Sequence, residues 1–494
     1  MESHELTLKQ VAGLTTVTRM DVTTADVSPI QVGGPESTVT LRLPKGTYLI
    51  ESVTDSAAGS ILLIHPGLRL DAPRTVVLDA GLARPFSVRV PDASAISLLS
   101  EVTYSRDTLD GEITAGLVAR SFDRISVAQL GPPQTYDMLT RVAGQWATPG
   151  PDGSVHGSPS AYRLAWFVRG GVPTGFTGDV SRKELATVRR DHAVQRRGAT
   201  IEVASTAVPA DGQFFGIRFM TDFRAPFTHT EYVNTDDGIR WRHGLKEYST
   251  GEFGFVDSAP TRYEAGRTYT EKWNRGVFGP SLVNNVTDAP VVTRTDNVLL
   301  YQPLLYGDGA GRPGHGVTSR QHSVLYRDGH LVAEGQSLFG RVEVPPADAR
   351  YRLVAETGRG PDSTLSTRTT VAWTFRSAQG QAGKRTALPL SVVGFAPALD
   401  EQNAAPTGGP FTVPFTVRTQ SGSAAGPVTA LSVDVSYDDG VTWQAAKALH
   451  SGGKGMLVLQ HPAPDGFVSL RARSTDSSGN TVDQTIIRAY RIAR

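Results

Sequence analysis

A chain of 494 residues has room for roughly three to five domains of about 100–200 residues each, with ample length for buried cores. Its 49 Lys+Arg against 48 Asp+Glu leave a net charge of +1, so no global basic field exists to hold nucleic acid or an anionic membrane. The absence of cysteine excludes disulfides, thiolate metal sites and a cysteine nucleophile.

The amino terminus, MESHELTLKQ, lacks a basic region followed by an apolar run, so no signal peptide is expected. No window reaches the roughly 18 apolar residues that a membrane-spanning helix needs. The 51 Gly and 31 Pro fit many turns between short strands. The fold class expected is all-β, with several β-sandwich domains in tandem and little helix.

Residues 1–84 read as a small prealbumin-like sandwich. Val39, Leu41 and Leu43 alternate with Thr40, Arg42 and Pro44, a turn follows at Pro44-Lys45-Gly46, and Ile61–Ile64 suits a central strand. Residues 85–290 read as a longer-looped β domain. Phe86–Val90 alternates, Ile125–Leu130 ends at Gly131-Pro132-Pro133, and Tyr162–Val168 is apolar enough to be buried on both faces. Ser181 three residues before Glu184 is a capping box, with Val180 and Leu185 placed as a hydrophobic staple, so the one short helix is expected near 181–194. The basic run within it (Arg189, Arg190, Arg196 and Arg197) reads as a solvated helix face. Asp236-Asp237-Gly238 marks a hairpin between Tyr232 and Trp241.

Residues 291–385 form a third sandwich, with a strand-turn-strand unit around Asp328-Gly329, and end in the linker-like stretch Ser377–Lys384. Residues 386–494 form an immunoglobulin- or fibronectin-like sandwich. There Val433, Val435 and Tyr437 alternate with polar residues, Asp439-Gly440 supplies a tight hairpin, and Val441 and Trp443 resume the strand.

Chemistry is sparse. No G-x-S-x-G elbow and no subtilisin-type triad signature occurs; His156-Gly157-Ser158 and Gly314-His315-Gly316 are loop histidines that face solvent. No H-x-x-x-H helix is present, and Asp476 to Asp483 imitates a calcium loop without its spacing or terminal Glu. Ser436-x-Asp438-x-Gly440-x-Thr442-Trp443 matches the Asp-box of sialidase propellers, where it is structural. It stands alone here and reads as a stabilised hairpin. Catalytic, cofactor-binding and metal residues are accordingly assigned to none.

The run SYDDGVTW … GFVSLRARSTDSSGNTVDQTIIRAYRI resembles the C-terminus of long actinobacterial subtilisin-like serine peptidases. Blocks upstream keep the same order: Ala83–Val88, Ser121–Ile125, Tyr263–Arg267, Trp273–Pro280 and Ala372–Ser377. The resemblance covers nearly the whole chain and implies the non-catalytic region that follows the peptidase domain. It further implies an extracellular location, and either an upstream peptidase domain or a protein or polysaccharide ligand as partner. The alternative is a free-standing carbohydrate- or protein-binding module using Trp146, Trp241 or Trp273 as a stacking platform. A sialidase-like glycosidase is a remote third reading.

Overall fold

A computed structural model describes residues 2–33, 36–134, 138–212, 218–249, 252–283, 289–360, 363–462 and 464–493. Among these the chain is all-β, with helical content confined to single 3-10 turns. Period-two burial explains why. Along the strand Ala349–Arg359, the side chains of Ala349, Tyr351, Leu353 and Ala355 are buried, while Arg350 and Arg352 face out.

The amino-terminal half stacks four sheets. A three-stranded sheet built on Ser3–Lys9 covers a seven-stranded sheet that contains Gly46–Ser56 and Gly59–Leu70, with Leu6, Leu8, Tyr48 and Leu63 between them. The opposite face of that sheet packs, through Leu62, Ile64, Val102 and Tyr162, on a second seven-stranded sheet. This second sheet runs in the order Glu112–Ala119, Ile96–Asp107, Met138–Ala147, Ser160–Arg169, Phe227–Asn234, Leu185–His192 and Thr268–Trp273. Its far face meets a five-stranded sheet that contains Thr200–Val208 and Arg240–Ser249, through Ala165, Val188, Ala207 and Trp241. Where a sheet is covered on both sides, the side chains beneath the cover are buried, charges included.

The carboxy-terminal half has one continuous core, from Val277 to Ile492, beneath a nine-stranded sheet. Ala349–Arg359 pairs with Arg368–Ser377, and the latter pairs with Thr481–Ile492. The expected boundaries at 84/85 and 385/386 therefore fall within shared sheets. Arg84–Arg89 and Gly59–Leu70 both pair with Ile125–Gln129, and residues 378–385 form an exposed loop beside a continuing sheet. Polar composition marks a loop, but it carries no information on whether the next strand joins a new sheet or extends the old one.

The helix expected near 181–194 is a second correction. The capping box forms, since the Glu184 carboxylate accepts from the Ser181 amide (2.7 Å) and hydroxyl (2.6 Å). Only one 3-10 turn follows, Arg182–Glu184, before the strand Leu185–His192. That strand finds partners on both sides, antiparallel to Phe227–Asn234 and parallel to Thr268–Trp273. Two ladders of hydrogen bonds outweigh a helix start, and the β-branched Thr187 and Val188 lean the same way.

Gln420 ties residues 290–390 to the last sandwich. Its buried Oε1 accepts from the amides of Val291 and Val292 (2.9 Å each), and its Nε2 donates to the carbonyls of Val292 (2.7 Å) and Leu388 (2.8 Å). A Gln420→Leu replacement keeps the volume but strands these buried backbone groups. It is expected to cost about 2–4 kcal/mol in urea unfolding monitored by tryptophan fluorescence, against less than about 0.5 kcal/mol for an exposed control such as Gln379→Leu.

A buried ionic cluster as candidate functional site

Where the second seven-stranded sheet faces the five-stranded sheet, three neighbouring strands each present two polar or aromatic side chains at i and i+2. They are Arg190 and His192, His229 and Glu231, and Glu271 and Trp273. The register places Arg190 opposite both His229 and Glu271. Arg163 joins from Ser160–Arg169, and Ser205 and His243, cross-strand partners, join from the five-stranded sheet. All but Glu271 are buried.

The charges balance. Arg190 donates through Nε to Glu271 (2.9 Å), through Nη1 to Glu231, and through Nη2 to the Tyr263 hydroxyl (3.3 Å). Arg163 approaches the other Glu231 oxygen (3.3 Å) and donates to the Thr221 hydroxyl (3.2 Å). Glu271 also accepts from Tyr263 (2.5 Å) and from the Trp273 indole (2.9 Å). Two guanidinium groups thus face two carboxylates. Burial alone would raise the Glu231 pKa, but Arg190, then His229 and Arg163, hold it well below the usual carboxylate range.

Burial disfavours the charged form of all three histidines. Burial, followed by the positive charge of Arg190 and the neighbouring imidazoles, pushes His192 and His243 well below the ordinary histidine value, and burial lowers His229. His192 stacks on Phe227 (4.4 Å between ring centroids) and His243 meets Trp273 edge-on (4.4 Å). Among the described residues no three His, Asp or Glu side chains converge as a metal site.

Ser205 lies 2.9 Å from His243 Nδ1 and donates to Glu231 Oε2 (2.5 Å). Its proton is therefore committed to the carboxylate, and His243 Nδ1–H donates to the serine oxygen. His243 Nε2 then accepts from His192 Nε2 (3.3 Å), which leaves His192 Nδ1 bare, in accord with its lack of any partner. In a hydrolytic triad the histidine stands between serine and carboxylate. Here the serine stands in the middle, the histidine is not placed to take its proton, and the carboxylate that accepts it is made a poor base by the two arginines. The nearby void bounded by Arg141, Gln145, Arg163 and Ser205 is about 10 Å³, near the minimum for one water molecule. The arrangement bridges the two sheets, and that void is too small for anything larger than a water molecule.

The residues singled out in the sequence lie elsewhere. Arg189 is exposed, but Arg190 is the centre of the cluster rather than part of a solvated face. His156 is exposed and lies 2.7 Å from Asp222, and Ser158 is buried on backbone carbonyls. Trp146, Trp241 and Trp273 are 6%, 3% and 1% exposed, so none of them forms a stacking platform. The Asp476 carboxylate accepts from the amides of Gly426, Ser478 and Asn480 and from the Asn480 side chain, leaving it turned toward donors and away from any cation.

The Asp-box behaves as a turn. Asp438 accepts from the Ser436 hydroxyl (2.7 Å) and from the Thr442 amide (2.9 Å), and these contacts with the Thr442 hydroxyl lower its pKa to about 2. Asp439 and Gly440 both take positive φ, as a tight hairpin requires. Val441 is 81% exposed, and the strand resumes only at Gln444–Ala445, after Trp443.

No family model matches the chain, and no curated protein matches it. Among solved structures it is similar to a trypsin-activated alpha-2-macroglobulin from Escherichia coli, at 8% identity and a TM-score of 0.16. The match covers 96% of this chain and spans 37% of that one. A likeness at that level transfers neither fold nor function. The described residues contain no helix long and apolar enough to cross a membrane.

The buried histidines set the acid response. Unfolded histidines titrate near 6.5, whereas these three resist protonation in the fold, so the unfolded state gains protons as the pH drops. Their contribution is full above about pH 6.5 and falls by up to about 1.4 kcal/mol per pH unit for each histidine. Urea unfolding at pH 7.5, 6.0 and 5.0 should show this loss, and His229→Phe, which keeps an aromatic ring against Phe223 and His192, should reduce the proton uptake.

Proposed function

We propose that the chain is a non-catalytic, multi-sandwich accessory region that positions substrate for an enzyme or attaches it to a surface. Its likeness to the C-terminal domains of secreted subtilisin-like serine peptidases implies this role and an extracellular setting. What carries the non-catalytic part is the placement of Ser205. It meets a histidine and a carboxylate together, yet it is sealed between two sheets with its proton held by Glu231. The order of sequence blocks supports the accessory part.

A free-standing binding module remains the second reading, without a tryptophan platform. The glycosidase reading rests on the Asp-box alone, a structural motif whose side chains are bonded within their own turn.

The purified chain is expected to leave casein and a chromogenic peptide intact, and a fluorophosphonate probe should not label Ser205. Hydrolysis that the probe blocks and that Ser205→Ala abolishes would overturn the reading.

A further inference from the structure

The outer face of the nine-stranded sheet carries a pattern that stability alone does not explain. Arg350 sits directly opposite Arg376 on the neighbouring strand, and Arg352 follows two residues on, on the same face. Like charges directly opposite each other destabilise a sheet. Arg376 is neutralised by Asp348, through Nε at 3.0 Å and Nη2. The other nearby acid, Asp328, spends one oxygen on the Arg350 amide (3.0 Å), and its other oxygen is 3.7 Å from Arg327. Among the described residues the guanidinium groups of Arg350 and Arg352 have no carboxylate partner.

These two arginines border an open groove of about 740 Å³. Its floor follows from the register. Tyr326 pairs with Arg352 on one side and Thr374 pairs with it on the other, while Val354 lies one step along the strand. The groove therefore offers a half-buried aromatic ring, an aliphatic patch and two uncommitted guanidinium groups, on side chains rooted about 7 Å apart along the strand.

We propose that this groove binds an acidic polysaccharide. A sugar ring has an apolar face that can lie on Tyr326 and Val354. Its carboxylates suit the bidentate geometry of arginine. A nucleic acid would need a far broader basic surface than a chain of net charge +1 provides. The inference does not depend on whether the chain serves a peptidase, because it concerns a surface remote from Ser205.

Polygalacturonate and neutral dextran serve as the probes, in calorimetric titration of the full chain at low salt and again at about 0.5 M salt. The wild-type chain should bind polygalacturonate, lose most of that binding at high salt, and ignore dextran. Arg350→Gln/Arg352→Gln should weaken binding by about tenfold or more, and Tyr326→Leu should weaken it by a smaller factor, with urea unfolding of each variant confirming an intact fold. Arg69→Gln, at a site 80% exposed on the amino-terminal half, should change nothing. Absence of polygalacturonate binding, equal binding of dextran, or equal losses in the Arg69 control and the double variant would each overturn the proposal.

Discussion

The contact between Arg190 and Glu231 is the constraint on which the amino-terminal half depends. The covered part of a sheet cannot expose its charges, and this one carries Arg163, Arg190 and Glu231 where it meets the five-stranded sheet. An isolated buried charge costs several kcal/mol or more, and only close pairing with additional hydrogen bonds offsets it. The positions of Glu271, Tyr263, Thr221 and Ser205 follow from that need, since each supplies a donor or acceptor that the central pair lacks. The histidines complete the layer as buried rings, packed against Phe227 and Trp273.

A related solution joins the two halves of the molecule. Asn403, from the carboxy-terminal half, donates to the carbonyls of Val194 (3.1 Å) and Asn274 (3.0 Å) and accepts from the Gly276 amide (2.6 Å). Glu247 caps the same segment by accepting from the amides of Gln195 (2.9 Å) and Arg196 (3.2 Å), and burial raises its pKa. Arg359 reaches the Gln195 side chain at 3.0 Å. Irregular backbone between strands is thus satisfied by buried amides and carboxylates, which is how loops can lie inside a molecule built of sheets.

The all-β class was legible because period-two alternation and Asp-Gly turns are local signals. Asp237-Gly238, Asp328-Gly329 and Asp439-Gly440 all adopt the positive φ that their residue types favour. The ionic cluster was not legible. Arg-x-His, His-x-Glu and Glu-x-Trp on successive strands look like ordinary solvent-facing positions, and only the sheet order reveals that another sheet covers them. The capping box at Ser181 shows the same limit from the other side: the local signal was real, but pairing with two distant strands decided the outcome. Gln420 and Asn403 gave no signal at all, because a buried amide that serves backbone has no characteristic neighbours in sequence.

The central claim is that Arg190 and Glu231 form a coupled pair whose partners hold two sheets together. A double-mutant cycle with Arg190→Met, Glu231→Leu and the double variant, read by urea unfolding at pH 7.5, tests it directly. Each single replacement should cost about 3–5 kcal/mol, because it strands a buried charge, and the double should cost less than their sum by about 1–3 kcal/mol. Costs that add to within about 0.5 kcal/mol would contradict the account.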